Sequence, residues 1–152
     1  MEGGSGRRVM VAIDEHEGSF YALEWAVKNL HESILNSHLV VFTAQPSSEY
    51  SYIHAMEPRE LRREVQEDQK KTAISLLENA REICNKHGIT PEVVTEVGDP
   101  KDAIREAVER LNIQLLVIGS HGRGALKRAF LGSVSNYCVH NVKCPVLVVK
   151  KT

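Results

Sequence analysis

Five apolar runs of strand length punctuate the chain, each closed by polar, glycine or proline residues. Val9-Met10-Val11-Ala12-Ile13, closed by Asp14, reads as a strand buried on both faces. Leu39-Val40-Val41-Phe42 is the second, ended by Pro46 with Ser47 and Ser48. Glu92 to Val97 is short and β-branched, Leu115-Leu116-Val117-Ile118 is again continuous, and Val146-Leu147-Val148-Val149 closes the series. Between these runs the apolar spacing becomes helical. Leu23, Ala26, Val27 and Leu30 recur at i, i+3, i+4 and i+7, with Ser19 placed to cap that helix. From Pro58 to His87 one face carries Leu61, Val65, Thr72, Ala73, Leu76, Leu77, Ala80, Ile83 and Cys84, and Gly88 stands where a C-terminal cap belongs. A turn at Gly98-Asp99-Pro100 leads into a helix with Ala103, Ile104, Ala107, Val108 and Leu111 on one side, and Gly132-Ser133 opens the last. Strands and helices that alternate without an internal repeat predict an α/β sandwich around a mainly parallel sheet with right-handed crossovers.

Size and charge narrow the picture. A chain of 152 residues, 42% of them apolar, fills one interior and not two. Nineteen basic residues against twenty acidic leave a formal charge of −1, so no global field draws the protein to nucleic acid or to anionic lipid, and neither is expected as a partner. The charged stretch Arg59 to Lys71 alternates in sign, as a solvated helix face does. Cys84, Cys138 and Cys144 are odd in number and lack zinc spacing, which suits a reducing, cytoplasmic setting. Cys138 reads as a small core residue; redox switching through Cys144 is the alternative. Residues 1–7 are polar and glycine-rich and are expected to be disordered, with one domain over 8–152. The run Val9 to Ile13 is far short of a membrane span of about 20 residues, so no membrane association is expected. Gln45 to Glu57 exceeds the usual connection of about 4 to 6 residues and reads either as a lid or partner loop or as a merely mobile one.

Candidate chemistry gathers after the fourth strand, from Gly119 to Ser135. Glycines at the carboxyl end of a buried strand let main-chain N–H groups approach an anion, and a helix N-terminus opening at Gly132-Ser133 favours phosphate. Arg123, Lys127 and Arg128 add local positive charge, and the hydroxyls of Ser133 and Ser135 can donate. A tight strand-to-helix connection is the plain alternative. The pattern is neither the Gly-Lys-Ser/Thr phosphate loop nor the dinucleotide motif G-x-G-x-x-G. His121 is either a phosphate contact or an exposed loop histidine. In open α/β sheets ligands sit beyond the carboxyl ends of the strands where the strand order reverses. Asp14 stands at such an end, able to accept from ribose hydroxyls, to hold magnesium indirectly, or simply to cap the following helix. Main-chain groups of Ala12 and Ile13 would then meet a base edge, with Ala44 as an apolar wall.

The spacing G-x-x-G, nine residues, Gly-Ser, filled by Gly119, Gly122, Gly132 and Ser133, resembles the nucleotide-binding signature of the universal stress protein family. Val11-Ala12-Ile13-Asp14, Gly98-Asp99-Pro100 and Cys144-Pro145-Val146-Leu147-Val148-Val149 extend the resemblance over Arg8 to Lys151. The run Ser120-His121-Gly122-Arg123-Gly124 with Ser133-Val134-Ser135 and Cys138 is similar to the plant single-domain members. The resemblance implies a three-layer, Rossmann-like fold of the adenine nucleotide alpha hydrolase type, with a five-stranded parallel sheet in the order 3-2-1-4-5. It also implies a homodimer through Val146 to Val149 and bound ATP or AMP. Ala12, Asp14 and Ala44 would face the adenosine, while Gly119, Gly122, Gly132, Ser133, Val134 and Ser135 would line the phosphates. Seven scattered histidines, with no H-x-x-x-H or C-x-x-C, give metal catalysis no support. Three readings follow: a nucleotide-binding stress module that signals to a partner or protects, a slow ATP hydrolase using Asp14 and magnesium, and a nucleotide-independent chaperone-like protein.

Overall fold

The computed structural model describes residues 6–46, 59–120 and 132–151. Five strands, β1 (Arg7–Ala12), β2 (Ser37–Gln45), β3 (Glu92–Val97), β4 (Leu115–Ser120) and β5 (Val146–Lys150), form one parallel sheet in the order β3-β2-β1-β4-β5. Helices α1 (Glu17–Asn29), α2 (His31–Leu35), α3 (Arg59–Lys86), α4 (Pro100–Arg110) and α5 (Ser133–Asn141) cover it. This is the expected three-layer α/β sandwich.

Because side chains alternate across a strand, each apolar run feeds two cores. Val9, Val11, Val41 and Val117 face α1 and α3, whereas Met10, Val40, Phe42 and Leu116 face α4 and α5. β1 is central, with Val11 opposite Val41 on one side and Val117 on the other. Among the described residues no helix is long and apolar enough to cross a membrane.

Helix ends follow local chemistry. α3 stops where Gly88 turns to φ +75°: the Gly88 N–H donates to Asn85 and the Ile89 N–H to Cys84, both at 3.0 Å, a double bond that satisfies the last carbonyls. α4 ends in the same motif with Asn112 at φ 54°, donating to Glu109 while Ile113 donates to Val108. At its start Asp99 accepts from the Lys101 N–H, and Pro100 occupies the first turn, where a missing donor costs nothing.

Two expectations need correction, and one element was not anticipated. Ser19 does not cap α1. The helix begins at Glu17 with His16 extended before it, and the Ser19 hydroxyl shares its one hydrogen between the carbonyls of Asp14 and His16 while accepting from the Asp14 N–H. β1 starts at Arg7, inside the segment 1–7, because Arg7 pairs in register with Ser37. The one-turn helix α2, which buries Ile34 between α1 and β2, has no periodic signal of its own at that length.

Candidate functional site

The carboxyl ends of β1, β2 and β4 open into a cavity of about 480 Å³. Ala12, Ile13 and Asp14 form its floor at β1; Phe42, Thr43, Ala44 and Pro46 border it at β2; Ile118 and Gly119 border it at β4. Val134, in the first turn of α5, and Pro100 and Ile104 of α4 close one side. The N-terminal half of α3 closes the other.

Gly119 is where β4 passes the start of α1. A Cβ there would lie 2.6 Å from the Gly18 carbonyl oxygen and 2.9 Å from its carbon, so helix packing alone requires a glycine. The reason anticipated from the sequence was room for an anion.

Asp14 follows β1 directly. Its Oδ1 accepts from the His16 N–H at 2.8 Å, and the His16 ring nitrogen Nδ1 lies 3.3 Å from the same oxygen. The carboxylate therefore shapes the turn into α1 without capping the helix, and it also stands in the cavity wall. The Ile13 N–H donates to the Phe42 carbonyl at 2.8 Å, and the Ile13 carbonyl accepts from the buried Thr43 hydroxyl at 2.8 Å. That N–H belongs to the sheet, so of the Ile13 main-chain groups expected to meet a base edge the N–H is already committed.

α5 begins at an N-cap that brings no side chain. Gly132 is extended (φ −63°, ψ 160°) and makes no side-chain cap bond. The first bond along the helix runs from the Asn136 N–H to the Gly132 carbonyl at 2.8 Å, leaving the N–H groups of Ser133, Val134 and Ser135 without an acceptor inside the helix. The Ser135 hydroxyl spends its hydrogen on the Gly132 carbonyl, and the residue is 1% exposed, so it offers a main-chain N–H and not the O–H anticipated for it. Tyr137 ties α5 to α4: its hydroxyl donates to Asp102 and accepts from Arg105 Nε, with Lys101 Nζ 5.9 Å from the ring centre.

His121, Gly122 and Arg123 lie outside the described residues, as do Lys127, Arg128 and positions 47–57 of the long loop. Of the anticipated site residues, Ala12, Ile13, Asp14, Ala44, Gly119 and Val134 share one cavity wall. Gly132, Ser133 and Ser135 adjoin it through the first turn of α5. Among the described residues no three metal-ligating side chains converge.

Sequence reasoning missed the α3 wall. Val65, Asp68, Gln69, Thr72, Ala73 and Leu76 all line the cavity, although Asp68 had been placed on a solvated face. Their spacing is that of a single helix face, and Asp68 and Gln69 fill the step between Val65 and Thr72 where the stripe calls for apolar groups. That polar interruption was the available signal.

All three cysteines are free. Burial pushes the Cys84 and Cys138 thiols up to about 11, Cys144 adding to the shift at Cys138, and burial also raises Cys144. Reactive cysteines depend on the opposite shift, toward thiolate.

Residues 6–150 match the sequence model of the universal stress protein family. A universal stress protein A-like protein of Arabidopsis thaliana is 30% identical over 95% of this chain and 90% of its own length. The Bacillus subtilis universal stress protein YxiE is 32% identical over 94% and 98%. A universal stress protein family protein from Arabidopsis thaliana, solved with AMP bound, superposes with a TM-score of 0.70 at 26% identity, covering 96% of this chain and 92% of that one.

Proposed function

The chain belongs to the universal stress protein family, and from that premise we propose that it binds an adenine nucleotide, AMP or ATP, in the cavity above β1, β2 and β4. One observation carries the reading: the N-terminal amides of α5, at Val134, which have no acceptor inside the helix, and the carboxylate of Asp14 meet at one cavity. A helix N-terminus with open amides favours phosphate, and its partial positive charge adds to the attraction. A carboxylate has room for about four hydrogen bonds, so ribose hydroxyls can join the His16 amide on Asp14. The base then lies toward β2, against Phe42 and Ala44. The cavity volume of about 480 Å³ falls within the range usual for small-molecule sites, roughly 300–1,000 Å³. The related Arabidopsis protein was solved with AMP. Gly122, Arg123 and His121 would complete the phosphate contacts, and magnesium, where present, would sit on the phosphates, with Asp14 contacting it indirectly.

In this reading the protein is a stress-response module whose nucleotide state, in a dimer formed through β5, signals to or protects a partner. The test is to denature the purified protein, identify released small molecules by mass spectrometry, and titrate the stripped protein with AMP and ATP calorimetrically. Copurifying or added adenine nucleotide should bind near one per chain. If neither is found, the chaperone-like reading replaces this one. Magnesium-dependent phosphate release that Asp14→Ala abolishes would make it a hydrolase.

A further inference from the structure

We propose that Gln69 of α3 reads the 6-amino edge of the purine and so sets which nucleotide the cavity takes; the inference rests on the adenine-nucleotide reading above. Gln69 lines the cavity, and its Oε1 is out of contact with solvent and has no hydrogen-bond partner among the described residues. Burying an amide oxygen without a donor costs about 1–3 kcal/mol, so such atoms are rare in folded proteins. The packing around it does not demand an amide. Val65 and Ala73 lie one helical turn to either side on the same face, and methionine or leucine would fill the position without an orphaned acceptor. An acceptor held dry at a cavity wall suits a ligand that arrives with its own N–H.

The topology says which part of the ligand that is. The open amides of α5 and Gly119 lie on the β4 side of β1, whereas α3 packs over β2 on the opposite side. A nucleotide anchored by phosphate at α5 and by ribose at Asp14 therefore directs its base toward β2 and α3. There the glutamine carbonyl matches adenine by accepting from its 6-amino group. Asp68, an acceptor-only carboxylate in the same wall, favours an amino donor over a 6-oxo group. Thr72 adds a small hydroxyl one turn further along.

The experiment titrates AMP and purine riboside 5′-monophosphate, which lacks only the 6-amino group, into wild type and Gln69→Met. Wild type should hold AMP about tenfold more tightly, one buried hydrogen bond's worth. In Gln69→Met the AMP affinity should drop by about that factor, purine riboside monophosphate should stay within about twofold, and the preference should vanish. The unliganded variant should melt at the wild-type temperature or above it, because an orphaned acceptor has been removed. Retention of the full preference by Gln69→Met overturns the assignment, and so does a clearly lower melting temperature, which would mean that the amide holds the fold together. Failure of wild type to bind either nucleotide is a different result: it removes the nucleotide reading itself.

Discussion

Gly119 serves two needs at one Cα. It admits the start of α1 against β4, and it lines the cavity. Replacing it with alanine sets a methyl group 2.6 Å from the Gly18 carbonyl oxygen, a main-chain atom that cannot swing aside like a side chain. Gly119→Ala is therefore expected to lose about 1–3 kcal/mol of stability, the usual range for overpacking. Urea denaturation of the unliganded protein measures this directly, and an unshifted midpoint would mean that β4 and α1 are further apart than described. Asp14 shows a similar economy, since one oxygen organises the turn into α1 while the group remains in the cavity wall. The packing role of Gly119 was not legible in the sequence, and for Asp14 the helix start and the ligand stood there as alternatives. Each depends on a segment about a hundred residues away or on which oxygen the local turn occupies.

At the scale of elements, the first turn of α5 decides what the cavity can hold. Gly132 has an extended conformation that any residue adopts, and aspartate is among the best N-cap residues. Gly132→Asp should therefore leave the unliganded melting temperature unchanged or slightly raised. Its carboxylate would accept from the same amides that a phosphate needs and would repel the phosphate as well. Nucleotide binding should fall at least a hundredfold by calorimetry, and preserved affinity in a folded variant would show that the phosphate rests elsewhere. α3 acts as an element too. It is 28 residues long, and only part of that length covers β2 and β3, so the N-terminal half extends over the strand ends as a cavity wall.

For the whole molecule, the open question is the sheet edge. β5 is terminal in the sheet order, and Val146, Leu147 and Val148 are each only half-buried. An edge strand of this composition, unprotected, invites pairing with another chain. A dimer through Val146 to Val149 is expected, with light scattering giving twice the chain mass at micromolar concentration. A monomer that persists at high concentration would rule that arrangement out and leave the edge for another partner.

Sequence alone determined the alternation of strands and helices, the five buried runs and most helix ends, because these depend on local spacing and on residues such as Gly88, Pro100 and Gly132. It also pointed to Asp14, Ala44 and the start of α5, which the structure brings to one cavity, since a parallel sheet gathers the carboxyl ends of its strands on one edge. Only the tertiary structure showed that Gly119 answers to Gly18, that the Ile13 N–H is committed to Phe42, and that α3 brings Asp68 and Gln69 to the cavity. Those facts arise from contacts between segments distant in the chain, where periodicity says which face is buried but not what it is buried against.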